Sequence, residues 1–99
     1  MSDEIQYSLS ESGTSVRAIC RDQVVGEITF VRMGGNKVII DYTSVIPEFR
    51  NRQIGLTLVR TVANMARAKH HYIITLCPFA RSMFNRYPEF DDVRLMHMH

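Results

Sequence analysis

The stretch that decides the fold lies at residues 45–56 and has the sequence VIPEFRNRQIGL. The β-branched pair Val45 and Ile46 ends an apolar run typical of a buried strand, and Pro47 stops that strand because proline has no N–H for a ladder. From Ile54 onward, apolar residues recur every three or four positions, which is the period of an amphipathic helix. The sequence therefore predicts a strand, a basic loop and a helix in immediate succession.

This junction has the chemistry of an anion receptor. The first N–H groups of a helix have no intrahelical partner and lie at the positive end of the helix dipole. Arg50 and Arg52 precede them in the loop. Together these groups can receive a phosphate or pyrophosphate. An ordinary strand–helix turn with solvated arginines fits the same spacing equally well.

Outward from the junction, the pattern predicts the element order β-β-β-β-α-β-α. Strands are predicted over residues 5–9, 15–20, 24–33, 38–46 and 72–77, and helices over residues 53–70 and from Pro78 to Pro88. The unit that spans residues 38–77 should be a right-handed β-α-β crossover with parallel strands. The fold class is therefore α+β, a mixed sheet with helices packed on it, in a single domain over residues 1–99. Residues 91–99 are expected to form a short edge strand or a tail.

The strand predicted over residues 38–46 carries apolar side chains on both faces. Val38, Ile40 and Tyr42 alternate on one face, while Ile39 and Val45 fall on the other. This mixture predicts a sheet that is partly covered on both faces.

Composition narrows the class of protein. The 99 residues are 45% hydrophobic and 22% charged, which is ordinary for a globular protein and argues against disorder. No apolar run approaches the ~20 residues of a membrane helix, and the acidic, polar first residues are unlike a signal peptide. Two cysteines are too few for a disulfide scaffold. We expect a cytoplasmic protein with reduced thiols and no membrane contact.

Charge is unevenly distributed along the chain. Between Pro47 and Tyr87, seven basic residues stand against one acid, Glu48. This half should attract anions, either a nucleic acid or a phosphorylated small molecule. A nucleic-acid partner is the less favoured of the two, because the chain has no helix-turn-helix, zinc framework or stacking-aromatic strand motif.

At the junction, the sequence resembles the GNAT superfamily of N-acetyltransferases. The superfamily signature is a strand, a proline-containing loop and then (Gln/Arg)-x-x-Gly-x-(Gly/Ala) at the start of a helix. Arg50 takes the first position and Gly55 the last, while Gln53 replaces the middle glycine. Three further segments, Thr43-Ser44-Val45, Cys77-Pro78-Phe79-Ala80 and Pro88-Glu89-Phe90, are similar to the short, single-domain YjdJ-type group. The resemblance covers about residues 24–94.

The resemblance implies an acetyl-CoA-dependent N-acetyltransferase that acts on an unidentified amine, with acetyl-CoA or CoA as its co-substrate. Backbone amides of residues 52–56 would cradle the CoA pyrophosphate, and the strand end at Val45 and Ile46 would line the pantetheine arm. The implied cofactor-binding residues are Val45, Ile46, Arg50, Asn51, Arg52, Gln53, Ile54, Gly55 and Leu56. The swap to Gln53 is harmless at an ordinary helical φ and costs affinity at a positive φ.

Cys77 is the candidate catalytic residue. It precedes Pro78, which suits the first turn of a helix, so its sulfur should lie at the helix N-cap, where the dipole favours negative charge. The resemblance implies that Cys77 faces the reacting end of the cofactor. A buried strand-end cysteine with no role is the alternative.

The mechanism is left with two routes. The tyrosine that protonates the departing CoA thiolate in many GNAT enzymes corresponds here to Phe84, and Tyr87 one turn on is a possible substitute. The preferred route is direct attack by the amine, with Cys77 as proton donor to the leaving thiolate. In the second route, Cys77 takes the acetyl group first and passes it on.

Other functions stay open beside the enzyme. A CoA- or acyl-CoA-binding module without turnover is the main alternative, and a small basic nucleic-acid-binding domain is the third. No metal site is predicted, because His70, His71, His97 and His99 lack ligand spacing. The chain is expected to be a monomer or a weak homodimer that pairs through an uncovered sheet edge.

Overall fold

The structure is a computed structural model, and it describes residues 4–95. Five strands, two α-helices and two 3-10 helices follow one another along the chain. They are β1 (Gln6–Leu9), β2 (Ser15–Cys20), β3 (Gln23–Met33), β4 (Lys37–Val45), a 3-10 helix (Pro47–Arg52), α1 (Ile54–Ala68), β5 (Tyr72–Thr75), α2 (Pro78–Arg86) and a second 3-10 helix (Pro88–Phe90). The predicted order β-β-β-β-α-β-α and the α+β class are confirmed.

The five strands form one mixed sheet in the order β1-β2-β3-β4-β5. The first four strands pair antiparallel, and β4 pairs with β5 in parallel, as a strand–helix–strand crossover requires. Gly34 has φ +67 in the turn between β3 and β4, which explains the glycine there.

Both α-helices bury their apolar faces in one cluster with the inward residues of the sheet. Ile28, Ile40 and Ile73 from the strands are fully buried together with Leu58 of α1 and Phe84 of α2. The thinnest dimension of the chain is 19 Å, which has room for a sheet and one layer of helices.

No helix within residues 4–95 covers the opposite face of the sheet, so the expectation that both faces are partly covered was wrong. The placement of Tyr42 beside Val38 and Ile40 was wrong too, because Tyr42 is 57% exposed while the other two are buried. The pairing of β3 with β4 shifts by one residue, so Asp41 has no partner in β3. One extra residue reverses the alternation that follows it.

The C-terminal segment is tied to the outer surface of α1. Arg60 donates two hydrogen bonds to the Glu89 carboxylate (2.7 and 2.8 Å), and Arg67 donates two to Asp92 (2.6 and 2.8 Å). We call these two pairs, Arg60–Glu89 and Arg67–Asp92, the clamp. Beyond the clamp, the edge strand expected over residues 91–99 is reduced to one bridge between Ile73 and Arg94. Residues 96–99 lie outside the described residues.

Candidate active site

A cleft opens where β4 and β5 separate. The two strands pair as far as Ile40 and Thr75, after which β4 runs on to Val45 beside β3 alone. The chain turns away at Leu76, and the N–H groups of Leu76 and Cys77 both donate to the Ile40 carbonyl (3.0 and 3.1 Å). Strand β5 therefore ends two residues earlier than predicted, and the gap beside the last five residues of β4 is left open.

The cleft has a volume of about 580 Å³. Consecutive residues of β4 line it, so it extends through the level of the sheet and does not lie on one face only. Its other walls are the start of α1 and one side of α2. The lining residues are Tyr42, Thr43, Ser44, Val45, Arg50, Gln53, Gly55, Leu56, Phe79, Met83, Arg86 and Tyr87.

The N-terminus of α1 reaches this cleft with no built-in counter-charge. Among the side chains that the structure describes, none caps the helix, and its first turn contains no acidic residue. Gly55 and Leu56 of that turn line the cleft, together with the basic side chain of Arg50. The first N–H groups of a helix lack intrahelical acceptors, so this end of the cleft is suited to an anion.

Gln53 joins the 3-10 helix to α1 in the left-handed conformation, with φ 57 and ψ 26. Its carbonyl accepts hydrogen bonds from the N–H and the hydroxyl of Thr57 (both 3.0 Å), which holds this turn in place. A non-glycine residue in this region costs about 1 kcal/mol, since its Cβ crowds the following carbonyl. Gln53 therefore has a positive φ, and glycine would adopt this conformation without strain.

The predicted cofactor-binding residues fall into two groups. Val45, Arg50, Gln53, Gly55 and Leu56 line the cleft. The Nε of Arg50 donates to the Val45 carbonyl (3.1 Å), so the arginine is held against the end of β4.

The remaining predicted residues lie behind or beside this wall. Ile54 is in the core, and the Ile46 N–H continues the ladder by donating to the Val25 carbonyl (2.9 Å). Asn51 and Arg52 lie in the 3-10 helix, where the Arg52 guanidinium stands 5.2 Å from the centre of the Phe49 ring.

Phe79 of α2 closes one side of the cleft by lying against Gly55. A Cβ on Gly55 would fall 2.6 Å from Cζ of the Phe79 ring, closer than carbon atoms approach. The ring is itself 38% exposed, so the contact lies at the surface of the cleft. Gly55 therefore serves this close helix–helix contact.

Cys77 is the N-cap residue of α2, with φ −71 and ψ 126; its side chain is buried and makes no capping hydrogen bond. It is not among the cleft-lining residues. Its Sγ donates to Oγ1 of Thr43 (3.5 Å), and Thr43 does line the cleft. Arg81, one turn further along α2, donates a hydrogen bond to the Thr75 carbonyl (3.2 Å).

Comparison with known proteins identifies the fold. Residues 14–93 match the family model described as GCN5-related N-acetyl-transferase. The chain belongs to this family. The GNAT resemblance is thus confirmed, while membership in the YjdJ-type group stays a prediction. A search of curated proteins found no match.

Three solved structures show how this GCN5-related chain compares in size. A GCN5-like protein from Staphylococcus aureus is 27% identical with a TM-score of 0.78, and the match covers 100% of this chain and 95% of that one. A ribosomal-protein-alanine N-acetyltransferase from Brucella melitensis is 15% identical (TM-score 0.65), with 86% and 63% covered. An aminoglycoside 6'-N-acetyltransferase in complex with coenzyme A is 24% identical (TM-score 0.56), with 62% and 35% covered. The chain therefore spans only part of the length of the last two.

In this GCN5-related chain, the position expected for a tyrosine is a core residue. Phe84 is buried and stacks on Phe90 with ring centroids 4.9 Å apart. Tyr87 lines the cleft, as does Tyr42, and the Tyr87 ring is nearly perpendicular to Phe90 with ring centroids 6.4 Å apart.

Several lining residues were missed by sequence reasoning. Phe79, Met83 and Arg86 of α2 follow helical spacing and, with Tyr87 just after the helix, form one stripe along the cleft wall; of these four, only Tyr87 was considered as a functional residue from the sequence. The helical spacing can be read from the sequence. The sequence does not show that this stripe faces the cleft, because that depends on the path of the chain after Thr75. On β4, Tyr42, Thr43 and Ser44 line the cleft because β5 stops short.

Within residues 4–95, no group of three or more His, Cys, Asp and Glu side chains could hold a metal ion. His97 and His99 lie outside the described residues. No helix in the same range is long and apolar enough to cross a membrane.

Proposed function

We propose that this chain is an acetyl-CoA-dependent N-acetyltransferase that transfers the acetyl group directly to an amine. The observation that carries the proposal is the cleft beside β4, which joins the uncapped start of α1 at one end to Thr43 and Tyr87 further along. An extended molecule with an anionic group at one end and a thioester at the other matches this arrangement.

The residues of the cleft are suited to acetyl-CoA. The pyrophosphate would lie against the first turn of α1, where the backbone amides of residues 52–56 and the Arg50 guanidinium supply positive charge. The pantetheine arm would follow the free edge of β4 at Val45, with Leu56 and Met83 as apolar walls. Strand β4 has no partner on this side, so its backbone polar groups are available to the amides of the arm.

The chemical step needs a proton donor for the departing CoA. The amine nitrogen attacks the thioester carbonyl carbon, the C–S bond breaks, the nitrogen loses a proton and the CoA sulfur gains one. We assign the donation to Thr43 and Cys77 together: Thr43, which lines the cleft, gives its hydroxyl proton to the CoA sulfur, and Cys77 Sγ replaces that proton along the 3.5 Å hydrogen bond. The proton lost by the amine nitrogen then returns to Cys77 by the same route, so the net transfer is one proton from nitrogen to the CoA sulfur. The acetyl-Cys77 route requires the sulfur to reach the cleft, and its burial behind Thr43 argues against that.

The location of the protein is part of the proposal. Both cysteines are free and buried, which suits a reducing compartment, and we propose the cytoplasm. The acceptor is an amine of a class that the cleft does not identify.

The experiment is release of the CoA thiol from acetyl-CoA in the presence of a mixed amine pool. Gln53→Glu adds a negative charge where the pyrophosphate would bind, and Gln23→Glu adds the same charge at the distant start of β3 as a matched control. We expect amine-dependent release with the native chain and Gln23→Glu, and a loss of at least about tenfold with Gln53→Glu. Equal release from both variants would contradict the proposed orientation of the cofactor.

A CoA-binding module without turnover is the second candidate, and two observations favour it. Gln53 occupies a left-handed position at the phosphate end, and the residue at the usual phenol position, Phe84, is packed in the core. This candidate predicts tight binding of both CoA and acetyl-CoA with no thiol release for any amine tested. The same assay, run beside a binding titration, therefore separates the two functions.

Four arginines of the basic half of the chain, residues 47–87, are less available to a nucleic acid than the composition indicates. Arg60 and Arg67 are paired with Glu89 and Asp92, and Arg50 and Arg81 bond to backbone carbonyls. These four arginines belong to internal contacts, which leaves a weaker field for phosphates in solution.

A further inference from the structure

The sheet face that no helix covers carries a continuous apolar row. Val31 of β3 is directly opposite Ile39 of β4, and Ile39 is directly opposite Ile74 of β5. Val31 is 50% exposed, and Ile39 and Ile74 are partly exposed. An exposed row of β-branched side chains in register across three strands is a feature of interaction surfaces.

We propose that this face binds a second copy of the same chain, in a two-fold dimer with the axis along the row Val31–Ile39–Ile74. With this axis, the strands of the second copy run antiparallel to those of the first. Strands β3, β4 and β5 of one copy lie over β3, β4 and β5 of the other. Each member of the row then faces its own counterpart, and on each strand the residue two before the row faces the residue two after it.

The sequence on either side of the row is complementary under this operation. On β4, Lys37 and Asp41 stand two residues before and after Ile39, so the lysine of one copy faces the aspartate of the other in both directions. Tyr72 of β5 lies two residues before Ile74, and Leu76 lies two residues after it, just past the end of the strand; they are 43% and 57% exposed. Lysine therefore faces aspartate, and tyrosine faces leucine. A register that placed Lys37 opposite Lys37 would bring like charges together instead.

The contact under this axis is small. Only two residues of β3 lie beyond Val31, so the two copies overlap over five residues on each of β3 and β4 and over the four residues of β5. At about 3.3 Å along the strand and 4.8 Å between strands, this overlap covers roughly 220 Å² in projection. Standard stable interfaces bury about 800 Å² of accessible surface on each partner, so we expect a weak association that depends on concentration.

The sheet edges are poorer candidates for self-association. The outer edge strand β1 has only four residues, and the outer edge of β5 carries the bridge to Arg94. Face-to-face packing of two sheets about 10 Å apart also allows the Lys37 side chain to span to the opposite carboxylate.

The test is sedimentation equilibrium of the full chain over a wide concentration range, with five variants. Val31→Lys places a charge at the β3 end of the row, while Leu9→Lys changes a residue of similar exposure (51% against 50%) at the end of β1, away from the row. Lys37→Glu and Asp41→Lys are made singly and together, and far-UV circular dichroism checks that each variant is folded.

We expect a concentration-dependent dimer whose dissociation constant rises at least about tenfold with Val31→Lys and is unchanged with Leu9→Lys. Each single charge reversal should weaken the dimer, and the double reversal should restore it. A monomer at all concentrations would overturn the proposal, and so would a dimer that Val31→Lys leaves intact. Weakening by both single reversals without recovery in the double variant would overturn the two-fold register.

Discussion

The Phe79 ring occupies the space where a side chain on Gly55 would have to begin, with its Cζ 2.6 Å from that point. This contact joins α2 to the first turn of α1 at the wall of the cleft. It ties two segments, residues 50–55 and residues 77–80, that the sequence presents as separate motifs.

We predict that the effect of Gly55→Ala depends on Phe79. In the native background the new methyl group meets the ring and should lower the free energy of unfolding by about 1 kcal/mol. In a Phe79→Ala background that clash is gone, and the better helix propensity of alanine should raise it by about 0.5–1 kcal/mol. Urea unfolding of the four proteins measures both values. The same change in both backgrounds would show that the contact has no energetic role.

A second prediction concerns the left-handed Gln53. Gln53→Gly should raise the free energy of unfolding by roughly 1 kcal/mol, because glycine adopts this conformation without a steric cost. Gln23→Gly is the matched control, since Gln23 lies at the start of β3 with no positive φ, and it should be destabilising. Equal destabilisation by both substitutions would show that the left-handed conformation of Gln53 has no steric cost.

The third prediction is acid sensitivity of the clamp between α1 and the C-terminal segment. Hydrogen bonds from Arg60 lower the pKa of Glu89 below its ordinary value of 4.5, and those from Arg67 lower the pKa of Asp92 below 3.8. A carboxyl whose pKa is depressed by folding contributes stability above its unfolded pKa and loses it as the pH falls through the folded value. The contribution should therefore be complete near neutral pH and disappear progressively below about pH 4.5.

Arg67→Gln tests this clamp. The variant should be less stable than the native chain at pH 7, and the difference should shrink as the pH falls below 4 and as salt is added, because both partners are exposed. Thermal unfolding across this pH range measures the difference, with Arg32→Gln on the exposed surface of β3 as the control. A difference that is constant with pH would contradict the assignment to Asp92.

The fourth prediction separates the two residues of the proposed proton route. Thr43→Val removes the hydroxyl at nearly constant volume and should lower kcat at least about tenfold, while Thr43→Ser should keep most of it. Cys77→Ala should lower kcat as well, with little change in the affinity for acetyl-CoA, because the sulfur lies behind the cleft wall. Full turnover in Cys77→Ala would remove Cys77 from the mechanism.

The fold was predictable because each element has a strong local signal. The period of two in the strands, the period of three to four from Ile54, and Pro47 and Pro78 at the boundaries mark the order of elements without tertiary information. The 3-10 helix at Pro47–Arg52 and the early end of β5 were not predicted. Both depend on where the chain must turn to reach its neighbours.

The site was only partly predictable, for two physical reasons. The α1 end of the cleft is a local motif, so Arg50, Gln53, Gly55 and Leu56 could be found from their order in the chain. The far wall depends on the separation of β4 from β5 and on the extra residue at Asp41, which turns Tyr42 away from the core. Neither feature has a sequence signal that distinguishes it from regular pairing.

Calorimetric titration of the native chain with acetyl-CoA at moderate salt tests the central claim most directly. We predict a 1:1 complex with a dissociation constant in the micromolar range, about −8 kcal/mol, that is lost in Gln53→Glu and kept in Gln23→Glu. No detectable heat of binding with the native chain would contradict the claim that this cleft is an acetyl-CoA site.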